Sequence, residues 1–213
     1  MGGTKAAFLH GWAKGRGRAF LRFDYTGHGA SSGAFEEGSI GDWLRDARDV
    51  LADLTEGPQV LVGSSMGGWI ALLLLRAMPE RIAGLVGIAA APDFTEDSMW
   101  RRMDRAQRET LRRDGRLVVP SAYSEDPTIV TRRLIEDGRR HLVLRSPLVA
   151  RCPVRLLHGM ADPDVPWETA PRLAAHIEGG DVRATLLRAG DHRLSEADDL
   201  ALIAETVDAL PDP

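Results

Sequence analysis

One cysteine, Cys152, stands in the 213 residues, which excludes an intramolecular disulfide framework and points to a reducing compartment. Beside Pro153 and the apolar run that follows, its thiol is expected to pack as a small hydrophobe. Long apolar runs are missing too. The longest, WIALLLL at residues 69–75, is far too short to span a bilayer, and MGGTKAAFLHGWAKGRG at the start holds no uninterrupted apolar stretch of signal-peptide length. The cytoplasm is therefore the expected location. Lysine is confined to Lys5 and Lys14 while arginine and alanine abound, a bias that accompanies GC-rich bacterial genomes. A net charge of −4 and a pI near 5.9 give no general attraction to nucleic acid or anionic membranes. No G-K-[ST] follows the glycines, and H-E-x-x-H and C-x-x-C do not occur. No strand leads into G-x-G-x-x-G with an acidic partner. ATP, zinc and dinucleotides are thus not indicated, and neither cofactor nor metal is expected.

What is present reads as one α/β domain spanning residues 1–213, long enough to bury a core of its own. Hydrophobic residues make up 44% and charged residues 27%, ordinary for a globular chain. Short apolar runs rich in β-branched residues alternate with helical periodicity, the pattern of a mostly parallel sheet with helices on both faces. Strands are predicted at AFLRFD (19–24), QVLVGS (59–64), IAGLVGIAAA (82–91), PVRLLHG (153–159) and 182–189. Helices are predicted after Ser39 as far as Gly57-Pro58, from SMGGWIALLLLRAM, and over 168–177 and 198–210. Residues 94–145 break the alternation. They are Arg-rich and mostly helical in pattern, with an extended piece at LVVPSAY (117–123), and an insertion of that length reads as a lid.

The chemistry lies between a buried strand and an apolar helix, where Gly63-Ser64-Ser65-Met66-Gly67 matches G-x-S-x-G. A serine on so sharp a strand-to-helix turn is strained, and small residues two before and two after let the elements approach. Ser65 is the expected nucleophile, and the Met66 amide at the helix N-terminus the expected oxyanion donor. The bland alternative is a Gly/Ser turn ahead of a core helix.

A serine hydroxyl needs a base, and six histidines compete. His192, in GDHRLS after the last predicted strand, can fold back over the sheet's C-terminal edge. His176 falls in a helix, His141 in the insertion, and His158 at a strand end suited to a structural hydrogen bond. His28, in the tight turn GHG, also reads as structural. The base needs a carboxylate, and HGMADPDVP offers Asp162 just after its strand, in the chain order Ser, Asp, His. Asp164 is the local rival, and Asp191 is too close in sequence to His192. Met99, Trp100 and Met103 are candidates to line an acyl pocket, though plain packing would give the same spacing. Arg101, Arg105, Arg108 and Arg112 share a helical face and, among Asp104 and Glu109, read as a solvated ion-pair face.

LRFDYTGHGASSG, GSSMGGW, APDFTEDSMW, HGMADPDVPW and GDHRLS together resemble the α/β-hydrolase superfamily, and within it the group of alpha/beta-hydrolase domain-containing protein 10 and its bacterial relatives. The likeness extends over nearly the whole chain. It implies an α/β-hydrolase fold with a helical lid, the triad Ser65, Asp162 and His192, cleavage of acyl thioesters or esters as in palmitoyl-protein thioesterases and acyl-glucuronide esterases, and no cofactor. One departure is at the start. His10-Gly11-Trp12 has the look of the superfamily's second oxyanion loop, yet too few residues separate it from the strand at 19–24 for a crossover between parallel strands. GGTKAAFLHGWAKGRG is therefore expected to be that crossover helix, with the oxyanion loop and preceding strands upstream of Met1. The competing expectation is a truncated, catalytically impaired or binding-only chain.

Overall fold

The computed structural model describes residues 1–120 and 127–211. Helix α1 (Thr4–Gly15) opens the chain, and α2 (Ile40–Asp53) follows behind Ser39, whose hydroxyl oxygen caps it by accepting the Asp42 N–H. Strand β1 (Gln59–Ser64), helix α3 (Met66–Ala77) and strand β2 (Ile82–Ile88) come next. A π-helical turn (Thr95–Trp100), α4 (Arg105–Asp114), the antiparallel pair β3 (Arg116–Val119) and β4 (Thr128–Thr131), and α5 (Arg132–Gly138) form the insertion. The remainder is β5 (Leu148–Val149), β6 (Val154–Gly159), α6 (Thr169–His176), β7 (Ile177–Glu178), β8 (Val182–Leu187) and α7 (Ala197–Asp208).

Strands β1, β2, β6 and β8 pair in that order, all parallel. Side chains alternate across this sheet, so each central strand feeds two cores. Leu85 and Leu156 meet Trp43, Leu51, Trp69, Leu72 and Leu173 on one face. Val86, Ile88 and Leu157 meet Leu9 of α1 and Ile203 and Val207 of α7 on the other. Helix α3 is buried from Gly68 to Leu75, which is why its sequence is apolar on every side. Each fully buried leucine or isoleucine there contributes about 1.5–3 kcal/mol. No helix among the described residues is long and apolar enough to cross a membrane.

His10-Gly11-Trp12 sits inside α1 as expected, although the strand at 19–24 on which the spacing argument rested does not form. Two expectations need correction. Residues 19–24 form no strand: between them and the β1 edge lies a cavity of about 460 Å³ lined by Ala19, Phe20, Phe23, Val60 and Val62. An apolar, aromatic-rich sequence is not a strand until a neighbour takes its N–H and C=O groups, and this stretch is held by side chains instead. Arg22 donates to the Met1 carbonyl, and Asp46 receives the Thr26 N–H. Strand β2 ends at Ile88, three residues early, because Ala89 turns to φ 44°. The described part of the insertion is mostly helical, as expected, and β3 falls on the extended piece LVVPSAY, of which Ser121 to Tyr123 lie outside the described residues.

Candidate active site

Ser65 joins β1 to α3 with φ 54° and ψ −118°, a conformation that costs a non-glycine residue of order 1–3 kcal/mol. The surroundings enforce it. The Ser65 N–H donates to the Ile88 carbonyl, and the Ser65 carbonyl accepts from Gly68 and Ala91. A Cβ on Gly63 would fall 2.3 Å from the Gly67 carbonyl oxygen, and one on Gly68 would fall 2.6 Å from the Ala90 Cβ. Glycine is needed at both positions for the strand, turn and helix to close up. At Gly67 an added Cβ would meet only the Tyr25 hydroxyl at 4.0 Å, so there it is the backbone, not the missing side chain, that makes the contact. Met66 begins α3, and its N–H has no intrahelical acceptor.

The loops after β6 and β8 bring the other two predicted residues to this turn. His192 Nε2 lies 3.1 Å from Ser65 Oγ, and its Nδ1 lies 2.7 Å from Asp162 Oδ2. A carboxylate can only accept, so Nδ1 carries the hydrogen and Nε2 is left to accept from the serine hydroxyl. The other Asp162 oxygen accepts from the Asp164 and Val165 amides at 2.8 and 2.9 Å. Burial pushes the Asp162 carboxyl up, but the hydrogen bonds from Val165, His192 and Asp164 outweigh it and hold the group below the usual carboxylate range.

Neither rival carboxylate hydrogen-bonds the imidazole. Asp164 makes no hydrogen bond to His192. Asp191 Oδ1 instead accepts the Arg193 and Leu194 amides and shapes the loop that carries His192. That loop is also tied to α1, since Lys5 donates to the Arg193 carbonyl. His28 packs edge-on against Tyr25, Phe35 and Trp43, while His141 and His176 bond backbone carbonyls. Asp162, Asp164 and His192 are the one group of described residues close enough to share a metal, but Asp162 and the Nδ1 of His192 are already engaged with each other. Such a set suits a proton relay better than an ion.

Ser65 and His192 open into a cavity of about 720 Å³ walled by Met66, Phe94, Met99, Met103, Val130 and Leu144. Met99 and Met103 therefore line it as expected. Trp100 does not: its ring is turned the other way under the guanidinium groups of Arg108, Arg112 and Arg139, at 5.1, 5.2 and 4.6 Å. Adjacent residues on a helical turn point in different directions, and the arginines compete for the aromatic face. This also divides the arginine face: among the described residues only Arg105 makes the expected ion pair, with Glu109, and Arg101 reaches the cavity rim. Cys152 packs against the core as a half-buried thiol, pushed up by burial.

A strand-turn-helix serine with an imidazole and a carboxylate in line is a fold-level arrangement, and residues 6–206 match the model of the alpha/beta hydrolase family. The chain belongs to the alpha/beta hydrolase family. This alpha/beta hydrolase is 39% identical to the human protein named palmitoyl-protein thioesterase ABHD10, mitochondrial, over 213 residues, all of this chain and 69% of that one. A crystal structure of a protein from Agrobacterium vitis S4 superposes with a TM-score of 0.93 at 44% identity, covering 97% of this chain and 82% of that one. The mouse alpha/beta hydrolase domain-containing protein 10 gives 0.89 at 38%, covering 98% and 83%. As in other members of the family, the fold is a parallel sheet flanked by helices, and the chain is a hydrolase. Sequence reading missed the cavity residues Phe94, Val130 and Leu144. They come from separate segments of the insertion and carry no shared spacing that could have singled them out.

Proposed function

We propose that this hydrolase cleaves acyl thioesters or carboxylic esters through an acyl-enzyme, with Ser65, His192 and Asp162 as its triad. The observation that carries the reading is the in-line contact of His192 with both Ser65 and Asp162, at 3.1 and 2.7 Å. Ser65 Oγ attacks the acyl carbonyl as its proton passes to His192 Nε2, and the Met66 N–H stabilises the oxyanion. The intermediate collapses as the imidazolium protonates the departing thiolate or alkoxide, leaving the acyl group on Ser65. His192 then takes a proton from water, which attacks the acyl-serine, and returns that proton to the departing Ser65 Oγ as the free acid is released.

A long acyl group is the substrate side we infer, in the manner of palmitoyl-protein thioesterases. The likeness to proteins of that name, which covers all of this chain and 69% of theirs, supports it, as does the largely apolar inner wall of a cavity whose volume lies within the roughly 300–1,000 Å³ usual for ligand sites. Residues 94–145 contribute most of those walls, which supports their reading as a lid. Acyl-glucuronide cleavage is the ester counterpart of the same chemistry. A bacterial, cytoplasmic setting accords with the arginine-rich composition and the lone thiol. A fluorophosphonate probe tests the nucleophile: labelling confined to Ser65 is expected, and a folded chain that resists labelling overturns the proposal in favour of a binding-only role. Acyl thioesters and esters of graded chain length then assign the substrate.

A further inference from the structure

His158 is 1% exposed at the end of β6, and the proposed chemistry makes no use of it. Its Nε2 lies 3.1 Å from the Val165 carbonyl oxygen and 3.2 Å from Asp162 Oδ2, the same carboxylate oxygen that receives His192. Both neighbours are pure acceptors, so Nε2 carries a hydrogen, donates it to Val165, and turns the positive end of the N–H dipole toward Asp162. Val165 is in turn one of the two residues whose amides hold the other Asp162 oxygen. The Asp162 carboxylate, with none of its surface exposed, is thus clasped by a short loop that His158 closes from below. Without that ring, the loop loses the carbonyl anchor that aims the Val165 amide, and the carboxylate loses a fixed dipole on the side facing His192.

We propose that His158 is a positioning residue that holds Asp162 in the orientation from which it aligns His192. The inference rests on the triad reading above. Glutamine can supply an N–H where Nε2 stands, whereas asparagine reaches only as far as Nδ1 and leucine supplies none. His158→Gln is therefore expected to keep most of the turnover, while His158→Leu and His158→Asn lower kcat about 10- to 100-fold with KM little changed, the scale of a buried acceptor left without its hydrogen bond. In an Asp162→Asn background the same His158 changes should have almost no further effect, because the two residues act as one unit. Should a His158 variant fail to fold, the others carry the comparison, since each is read as turnover per fluorophosphonate-reactive site. Equal turnover in all three variants, equal losses in all three, or losses as large in the Asp162→Asn background as in the wild type would overturn the proposal. Failure of the triad reading itself is seen separately, as activity that survives Ser65→Ala.

Discussion

Gly159, at the end of β6, and Gly190, in the loop that carries His192, approach so closely that a Cβ on Gly159 would fall 2.2 Å from the Gly190 carbonyl oxygen. The Ala161 N–H donates to that same carbonyl. Two loops from neighbouring strands are thereby welded together, one bearing Asp162 and the other His192. Gly159→Ala must push them apart by backbone movement. Turnover is expected to fall by about 100-fold, the effect of an ångström-scale misplacement, and steady-state kinetics on a folded, purified variant measures it. Activity equal to wild type would mean that the loops yield without disturbing His192.

The elbow glycines separate by sterics alone. Gly68→Ala drives a Cβ into Ala90, whereas Gly67→Ala meets almost nothing. Thermal melts should record a clear loss of stability for the first, about 1–3 kcal/mol as for other overpacked positions. Gly67→Ala should be neutral or slightly stabilising, since alanine favours the helix by up to about 1 kcal/mol.

Ser65→Ala, His192→Ala and Asp162→Asn are each expected to lower kcat severely, by about 10⁴-fold in the case of the acid by analogy with other triads. Asp164→Asn should not. Its amide serves Asp162 whatever its side chain carries, so kinetics on the pair of asparagine variants distinguishes the two carboxylates. A damaging Asp164→Asn would reassign the acid.

Two pH dependences follow. Hydrolysis should decline in acid, because a protonated imidazole cannot receive the serine proton; a rate unchanged on acidification would count against a histidine base. Stability behaves differently. The Asp162 carboxyl is held below its ordinary range, so the stabilisation it supplies is fully present above the unfolded-state value and is lost only as pH drops through the folded-state value. Melting curves of wild type and Asp162→Asn should therefore differ most near neutrality and converge in acid.

Within the cavity wall, Met103→Trp fills space beside Ser65 and is expected to shift preference toward shorter acyl groups, read from a series of thioesters of increasing length. Trp100→Ala should leave that profile intact. It removes the aromatic face from three guanidinium groups and should instead cost stability, about 0.5–1 kcal/mol for each exposed cation–π contact.

Much was legible in the sequence because it is local. The glycines around Ser65 record a turn that only small residues permit, and α3 declares its burial by being apolar all round. The order Ser65, Asp162, His192 likewise follows from which loops end at the same sheet edge. What the tertiary structure alone decided are relations between residues far apart in the chain. Residues 19–24 have the composition of a strand, yet strandness belongs to a pair, and no neighbour completes it. Trp100 and Met99 are adjacent in sequence but were divided between an arginine cluster and the cavity by where Arg108, Arg112 and Arg139 lie. Whether Asp162 or Asp164 reaches His192, and that His158 stands beneath the chosen one, depends on the path of a few loop residues after β6. Hydrogen bonds discriminate at tenths of an ångström, and no spacing along the chain encodes distance at that scale.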